Sequence, residues 1–321
     1  MVASKFLHFQ HFVNRSTGWS RFSPVSLLLA CALWCLPGCS QRSPGRVEDS
    51  ETSGRISIVG VPEVRDLVQR ETAAFGKVYS DARFDVTTGT SREAVTELLE
   101  KRADLALLTR ELEPEERSVM VKGGMELEGY RFARDAIAIV VNPANPIQHM
   151  GVDDVRRIYL GQLDDWAALG GPAGRIEPVV REPECDLMAS FQQRVMGGEQ
   201  PTAPSMHATS DSAVVALVRQ HPGALGFVSM AWADRGARAL PLAVLTGLRD
   251  VKLDAERVYT GEYPLTRYCT LYVRTGGPRL ANGLVTFISS LDGQKIVHEA
   301  GLVPTAVPVR FARRSPMQGT H

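Results

Sequence analysis

From Gly54 onward the chain alternates short apolar runs with amphipathic stretches, the pattern of an α/β fold. Residues 55–59 (RISIV) read as a strand, and residues 63–80 as a helix with Val64, Leu67, Val68 and Phe75 at helical spacing. A strand at 83–88 follows, then a helix from Ser91 through Leu99, a short buried strand at 105–108 and a longer one at 137–141, broken by Asn142-Pro143. The pattern next predicts a helix over 152–160, a Trp166 turn ending in Gly170-Gly171, a strand at 176–180 and a helix over 187–196. Residues 197–205 show no periodicity. Helices at 212–220 and 280–290 and strands at 224–228 and 268–273 complete the map. No fixed-period repeat is present, which argues against solenoids and propellers.

The first 53 residues follow a different logic. An apolar stretch at 22–38, with its core from Val25 to Leu36, comes after three basic residues. It is shorter than the roughly 20 residues a membrane span needs and fits the apolar region of a secretory signal. The closing Leu36-Pro37-Gly38-Cys39 resembles the lipobox of bacterial lipoproteins, which implies a signal peptide at 1–38 and lipidation of Cys39. Ser-, Pro- and charge-rich residues through Ser53 read as a flexible tether at 39–53.

The 321 residues carry 36 basic and 36 acidic side chains with 44% hydrophobic residues, enough for one large or two medium globular domains. Without Lys5, Arg15 and Arg21 of the presequence, the remainder is slightly acidic, the wrong sign for a nucleic-acid binder. Three of the five cysteines fall within the signal and anchor. Cys185 and Cys269 remain, and their spacing leaves a disulfide and two separate thiols equally open. Phosphate-loop, dinucleotide, metalloprotease and nucleophile-elbow motifs are missing, and the histidines lack metal-ligand spacing, so neither catalysis nor a metal or cofactor is expected. Acidic pairs such as Glu115-Glu116 and Asp153-Asp154 sit at helix starts, where the helix dipole accounts for them.

Candidate chemistry gathers at strand ends. Thr88-Gly89-Thr90-Ser91 leaves a strand and opens a helix, Thr109-Arg110 follows the strand at 105–108, and Arg181 ends the strand at 176–180. Ligands of open α/β sheets collect beyond the carboxyl ends of strands, where hydroxyls and helix N–H groups can donate to an anion.

The word order of these segments resembles the phosphate-binding members of the type II periplasmic binding proteins, the solute receptors of ABC importers. The most specific piece is residues 135–171, DAIAIVVNPANPIQHMGVDDVRRIYLGQLDDWAALGG. Residues 104–112 (DLALLTREL), 176–182 (IEPVVRE), 210–230 (SDSAVVALVRQHPGALGFVSM) and 263–267 (YPLTR) support it. The resemblance implies a two-lobed α/β fold over 54–310, each lobe a mixed sheet flanked by helices. Lobe 1 would take 54–138 plus 240–310 and lobe 2 residues 139–239, with crossover strands at 137–141 and 241–245 and a basic tail at 311–321.

Together with the lipobox, it also implies a monomeric, lipid-anchored protein on the periplasmic or extracytoplasmic face of a membrane. That protein would bind phosphate or a related oxyanion through Thr90, Ser91, Thr109 and Arg181 and pass it to an ABC permease. The sequence departs from the family at its strongest signature, Arg, then Gly-Ser-Gly-Thr, then an aromatic residue. Arg181 and Phe191 match, but the loop reads Glu184-Cys185-Asp186-Leu187. Two hydroxyl donors are lost and two carboxylates gained. Asp186, just before the helix, is expected to cap it, and Glu184 or Asp186 to pair with Arg181 or to accept a proton from the ligand. A non-transport lipoprotein, using the same fold as a sensory or protein-interaction module with an altered cleft, is the alternative.

Overall fold

The structure, a computed structural model, describes residues 48–305. The expected signal peptide, the Cys39 lipidation site and the tail at 311–321 lie outside the described residues. Among the described residues no helix is long and apolar enough to cross a membrane.

The chain runs β1 (Gly54–Gly60), α1 (Arg65–Val78), β2 (Ala82–Thr88), α2 (Ser91–Leu99), β3 (Leu105–Leu108), α3 (Pro114–Lys122) and β4 (Leu127–Val141). It continues through β5 (Met150–Gly151), α4 (Val152–Tyr159), β6 (Glu177–Arg181), α5 (Asp186–Arg194), β7 (Met206–Ala208), α6 (Asp211–Gln220) and β8 (Ala224–Ser229). Last come β9 (Arg238–Ala239), β10 (Leu242–Ala243), α7 (Ala255–Thr260), β11 (Thr266–Arg274), α8 (Arg279–Ser289), α9 (Leu291–Glu299) and β12 (Val303–Pro304). This is the mixed α/β class that the alternation predicts.

Strand β4 organises the molecule. It is far longer than the predicted strand at 137–141, because its first half pairs antiparallel with β11 and its second half, from Ile137, pairs with β8. The sheet therefore runs β2-β1-β3-β11-β4-β8-β6-β7, with β1, β2 and β3 parallel in one lobe and β6, β7 and β8 parallel in the other. Each lobe buries its own apolar residues. One core gathers around Ile58, Phe75, Leu105, Leu271 and Leu284, and another around Tyr159, Phe191 and Phe227, with the Phe191 and Phe227 rings stacked at 4.0 Å.

The return crossing differs from expectation. Leu242 and Ala243 pair with Met150 and Gly151, and Leu240, Val258, Tyr263 and Leu265 all pack in the second core. The chain re-enters the first lobe at Thr266, where Ile137 N–H donates to the Leu265 carbonyl (3.0 Å) and Tyr263 Oη–H to the Ile137 carbonyl (3.2 Å). Leu240, Leu242, Val258, Tyr263 and Leu265 are committed to the second core, so the chain crosses only after Leu265.

The end of the expected tether is docked. The Arg279 N–H at the start of α8 donates to the Asp49 carboxylate (3.0 Å), and the Glu51 carbonyl lies so close to Gly283 that a Cβ there would sit 1.7 Å from it. Only glycine permits this approach.

Candidate binding site in the interlobe cleft

Three strand ends face one another between the lobes. From the first lobe come Ser91, the first residue of α2 after β2, and Thr109, directly after β3. From the second come Arg181, the last residue of β6, and Asp186, the first residue of α5. Asp135 in β4 and Arg267 in β11 stand at the crossing itself. All six are buried.

The expected donors divide. Thr90 is spent on its own helix: its hydroxyl accepts from Glu93 N–H (3.2 Å), and the Glu93 carboxylate accepts from Thr90 N–H (2.8 Å). This reciprocal capping box leaves Thr90 little to offer a ligand. Ser91 and Thr109 do converge, and what they hold is Asp186. Ser91 Oγ donates to Asp186 Oδ1, while Thr109 N–H (2.9 Å) and Oγ1–H (3.1 Å) both donate to Oδ2. Arg110 Nε lies 3.7 Å from Oδ1, its fork held by Glu116.

Asp186 therefore does not cap α5. Cys185 takes that place, its Sγ accepting from Met188 N–H (3.3 Å). Nor does either loop carboxylate pair with Arg181, because Glu184 is exposed and the partner of Arg181 is Asp211, at the start of α6. Asp211 also accepts from Ser229 N–H (3.2 Å). Burial pushes its carboxyl above the ordinary value even against the pull of Arg181. Arg181 Nε is buried without a hydrogen-bond partner, and the residue lines both cavities of the cleft.

Sequence reasoning missed Arg267, Asp135, Asp211, Ser229 and Glu63. Arg267 Nε and Nη2 bind Asp135 Oδ2 at 2.9 and 2.7 Å, Nη1 reaches Thr109 Oγ1 at 3.1 Å, and Ser229 Oγ donates to Asp135 Oδ1 at 2.8 Å. Burial alone would lower the Arg267 pKa, but Asp135 holds it above its usual range. For Asp135 and Arg267 the available signal was a charge inside a strand, since such charges persist only with buried partners; nothing comparable marked Asp211, Ser229 or Glu63.

A cavity of about 290 Å³ opens between these groups, lined among others by Glu63, Thr109, Asp135, Arg181, Asp211 and Arg267. A second of about 180 Å³ lies beside Ser91, Cys185 and Asp186. Glu63 borders both, and neither of its carboxyl oxygens has a partner. Burial, then the charge of Asp186, raises its pKa. Among the described residues no group of three or more His, Cys, Asp or Glu side chains could hold a metal ion.

Residues 47–291 match the family model of the PBP superfamily domain. The chain belongs to this superfamily. It is 25% identical over 289 residues to the phosphate-binding protein PstS of Bacillus subtilis, covering 87% of this chain and 93% of that protein. Among solved structures, an ABC-type phosphate transport receptor from Vibrio cholerae superposes with a TM-score of 0.66 at 24% identity, over 77% of this chain and 99% of that one. A phosphate-bound Clostridium perfringens protein, described as a phosphate ABC transporter substrate-binding protein, gives a TM-score of 0.69 at 23% identity over 78% and 99%. These structures share the two-lobed fold, and the resemblance read from the sequence is borne out. In this PBP-superfamily chain, however, the hydroxyls of Ser91 and Thr109 already hold an oxyanion, the carboxylate of Asp186.

Proposed function

We propose that this chain is an extracytoplasmic solute receptor that captures a small oxyanion, phosphate first among the candidates, between its lobes. The ligand would pass to the permease of an ABC importer, with lipid on Cys39 holding the receptor at the membrane. The observation that carries the reading is the cradle itself: Ser91 Oγ–H, Thr109 N–H and Thr109 Oγ1–H converge on two oxygens of a buried carboxylate. Arg181 adds a buried cation with one unpaired N–H. Neutral donors and a planar guanidinium, arranged before the ligand arrives, are what oxyanion recognition requires. The phosphate-binding proteins named above support phosphate as the ligand. Ligand release would follow hinge opening about the crossings at Ile137 and Leu265–Thr266.

The occupancy of the cradle by Asp186 favours a second reading, in which the fold serves as a sensory or protein-interaction module. Thermal unfolding of the full chain separates the two, using phosphate, phosphonates, sulfate, molybdate and small carboxylates carried to high concentration. A ligand bound only by the folded state stabilises it by about 2.7 kcal/mol at a hundredfold over its dissociation constant. A saturating shift with phosphate, lost in Arg181→Lys, supports the receptor. Lysine keeps a cation beside Asp211 and removes the fork, whereas alanine would strand a buried carboxylate. A flat response to every oxyanion moves the weight to the second reading.

A further inference from the structure

The carboxylate of Asp186 comes from the second lobe, and every group that holds it comes from the first. Its side chain is 2% exposed, and Ser91 and Thr109 stand 95 and 77 residues earlier in the chain. Each of its oxygens takes donors that a free anion would need: Ser91 Oγ on Oδ1, and the Thr109 N–H and hydroxyl on Oδ2, with Arg110 beyond. The Thr109 hydroxyl also accepts from Arg267, and its single proton already goes to Asp186. With Asp186 in place the Ser91 and Thr109 donors are fully used. An anion entering the smaller cavity would meet Asp186 and Glu63 beside Arg181, and one entering the larger would meet Glu63 with Asp135 and Asp211, each of the two paired to an arginine.

We propose that Asp186 is a tethered ligand, a carboxylate that occupies the oxyanion seat across the cleft and latches the two lobes together with no solute bound. Two carboxylate oxygens present the same acceptor pair as two oxygens of a tetrahedral anion, so the cradle closes on its own chain. Because the competitor is attached to the same molecule, its effective concentration is on the order of millimolar or higher. External oxyanion must displace it, and the observed affinity falls by the fraction of molecules in which the seat is free. Asp186 thus sets which solutes the cleft accepts and how readily. This rests on the reading of the cleft as an oxyanion site.

The test compares the full chain with Asp186→Ser and the near-isosteric Asp186→Asn, each shown to be folded by circular dichroism. Small-angle X-ray scattering in buffer free of oxyanions reads lobe spacing, and calorimetric titration with inorganic phosphate reads affinity. Both variants should show a larger radius of gyration than the parent chain without ligand, and phosphate should bind them at least tenfold more tightly. Variants as compact as the parent, with unchanged phosphate affinity, would overturn the latch while leaving the receptor reading intact. Variants that open but do not bind phosphate would establish the latch and sink the reading of the cleft as a phosphate receptor.

Discussion

Arg267 lies directly across the β4–β11 ladder from Asp135, and two of its nitrogens bind one carboxylate oxygen at 2.9 and 2.7 Å. Both side chains are 2% exposed, at the point where β4 leaves one lobe for the other. The pair links the first-lobe sheet to Ser229 of the second lobe through Asp135 and to the cradle through Thr109. A buried ion pair with all its hydrogen bonds made gains little over an apolar pair, but half of one is costly.

Arg267→Met should therefore destabilise the chain by about 3–5 kcal/mol, since it strands the Asp135 charge. Urea unfolding measures this. Adding Asp135→Asn should recover part of the loss, and purely additive effects in the double-mutant cycle would show that the two side chains are not coupled.

Glu63 predicts how affinity varies with pH. Its carboxyl, buried between Asp186 and the Arg181 and Arg267 guanidinium groups, is raised above its ordinary value, so it holds its proton in a pH range where an exposed glutamate would not. As pH rises through that range the cleft gains a negative charge and oxyanion affinity should fall. Sulfate, whose own charge stays fixed, is the probe, and Glu63→Gln should reduce the dependence to the part that Asp211, also raised and in the same cavity, contributes. An unchanged profile in the variant would remove Glu63 from the cleft's electrostatics.

Glu71 stands inside the first lobe on α1 among Leu67, Val68, Thr72 and Phe75, 1% exposed and with no partner for either oxygen. Burial pushes its pKa up from 4.5 to about 8. Below pH 4.5 it is protonated folded or unfolded and costs nothing as a charge. Between 4.5 and about 8 the unfolded chain releases the proton and the folded chain keeps it, so stability falls as pH rises. Glu71→Gln should exceed the parent chain by on the order of 2–4 kcal/mol above pH 8 and converge on it near pH 4.5, by denaturant unfolding at each pH.

Cys185 and Cys269 are both free thiols in the structure, which closes the choice left open by their spacing. Burial pushes the Cys185 thiol up to about 11, and Cys269, more deeply buried, rises further. Reaction with iodoacetamide needs the thiolate. Peptide mass spectrometry after alkylation of the native protein at neutral pH should find both largely unmodified, and fully modified after denaturation.

Much of the fold was legible because apolar periodicity reports burial directly. The strands at 105–108 and 224–228 and the helices at 152–160 and 280–290 fall close to their predicted places. The first half of β4 was not legible, since Glu128, Arg131 and Arg134 break the apolar run and only pairing with β11 makes it a strand. Helix α3 escaped because none of its residues is buried, so no apolar stripe marks it. At the site, the sequence pointed to Ser91, Thr109 and Arg181 by their position at strand ends. It could not distinguish Thr90, which caps, from Ser91, which reaches the cleft.

The α/β alternation and the placing of hydroxyls and an arginine at the ends of strands were readable from local sequence, because they depend on neighbours within a turn or two. Which carboxylate each of those groups meets is set by long-range packing. Asp186 could have capped its own helix or paired with Arg181, both local outcomes. Packing β3 and α2 of one lobe against α5 of the other instead brings it to Ser91 and Thr109. A buried charge goes to the donors that geometry places within reach, and here those lie in distant parts of the chain.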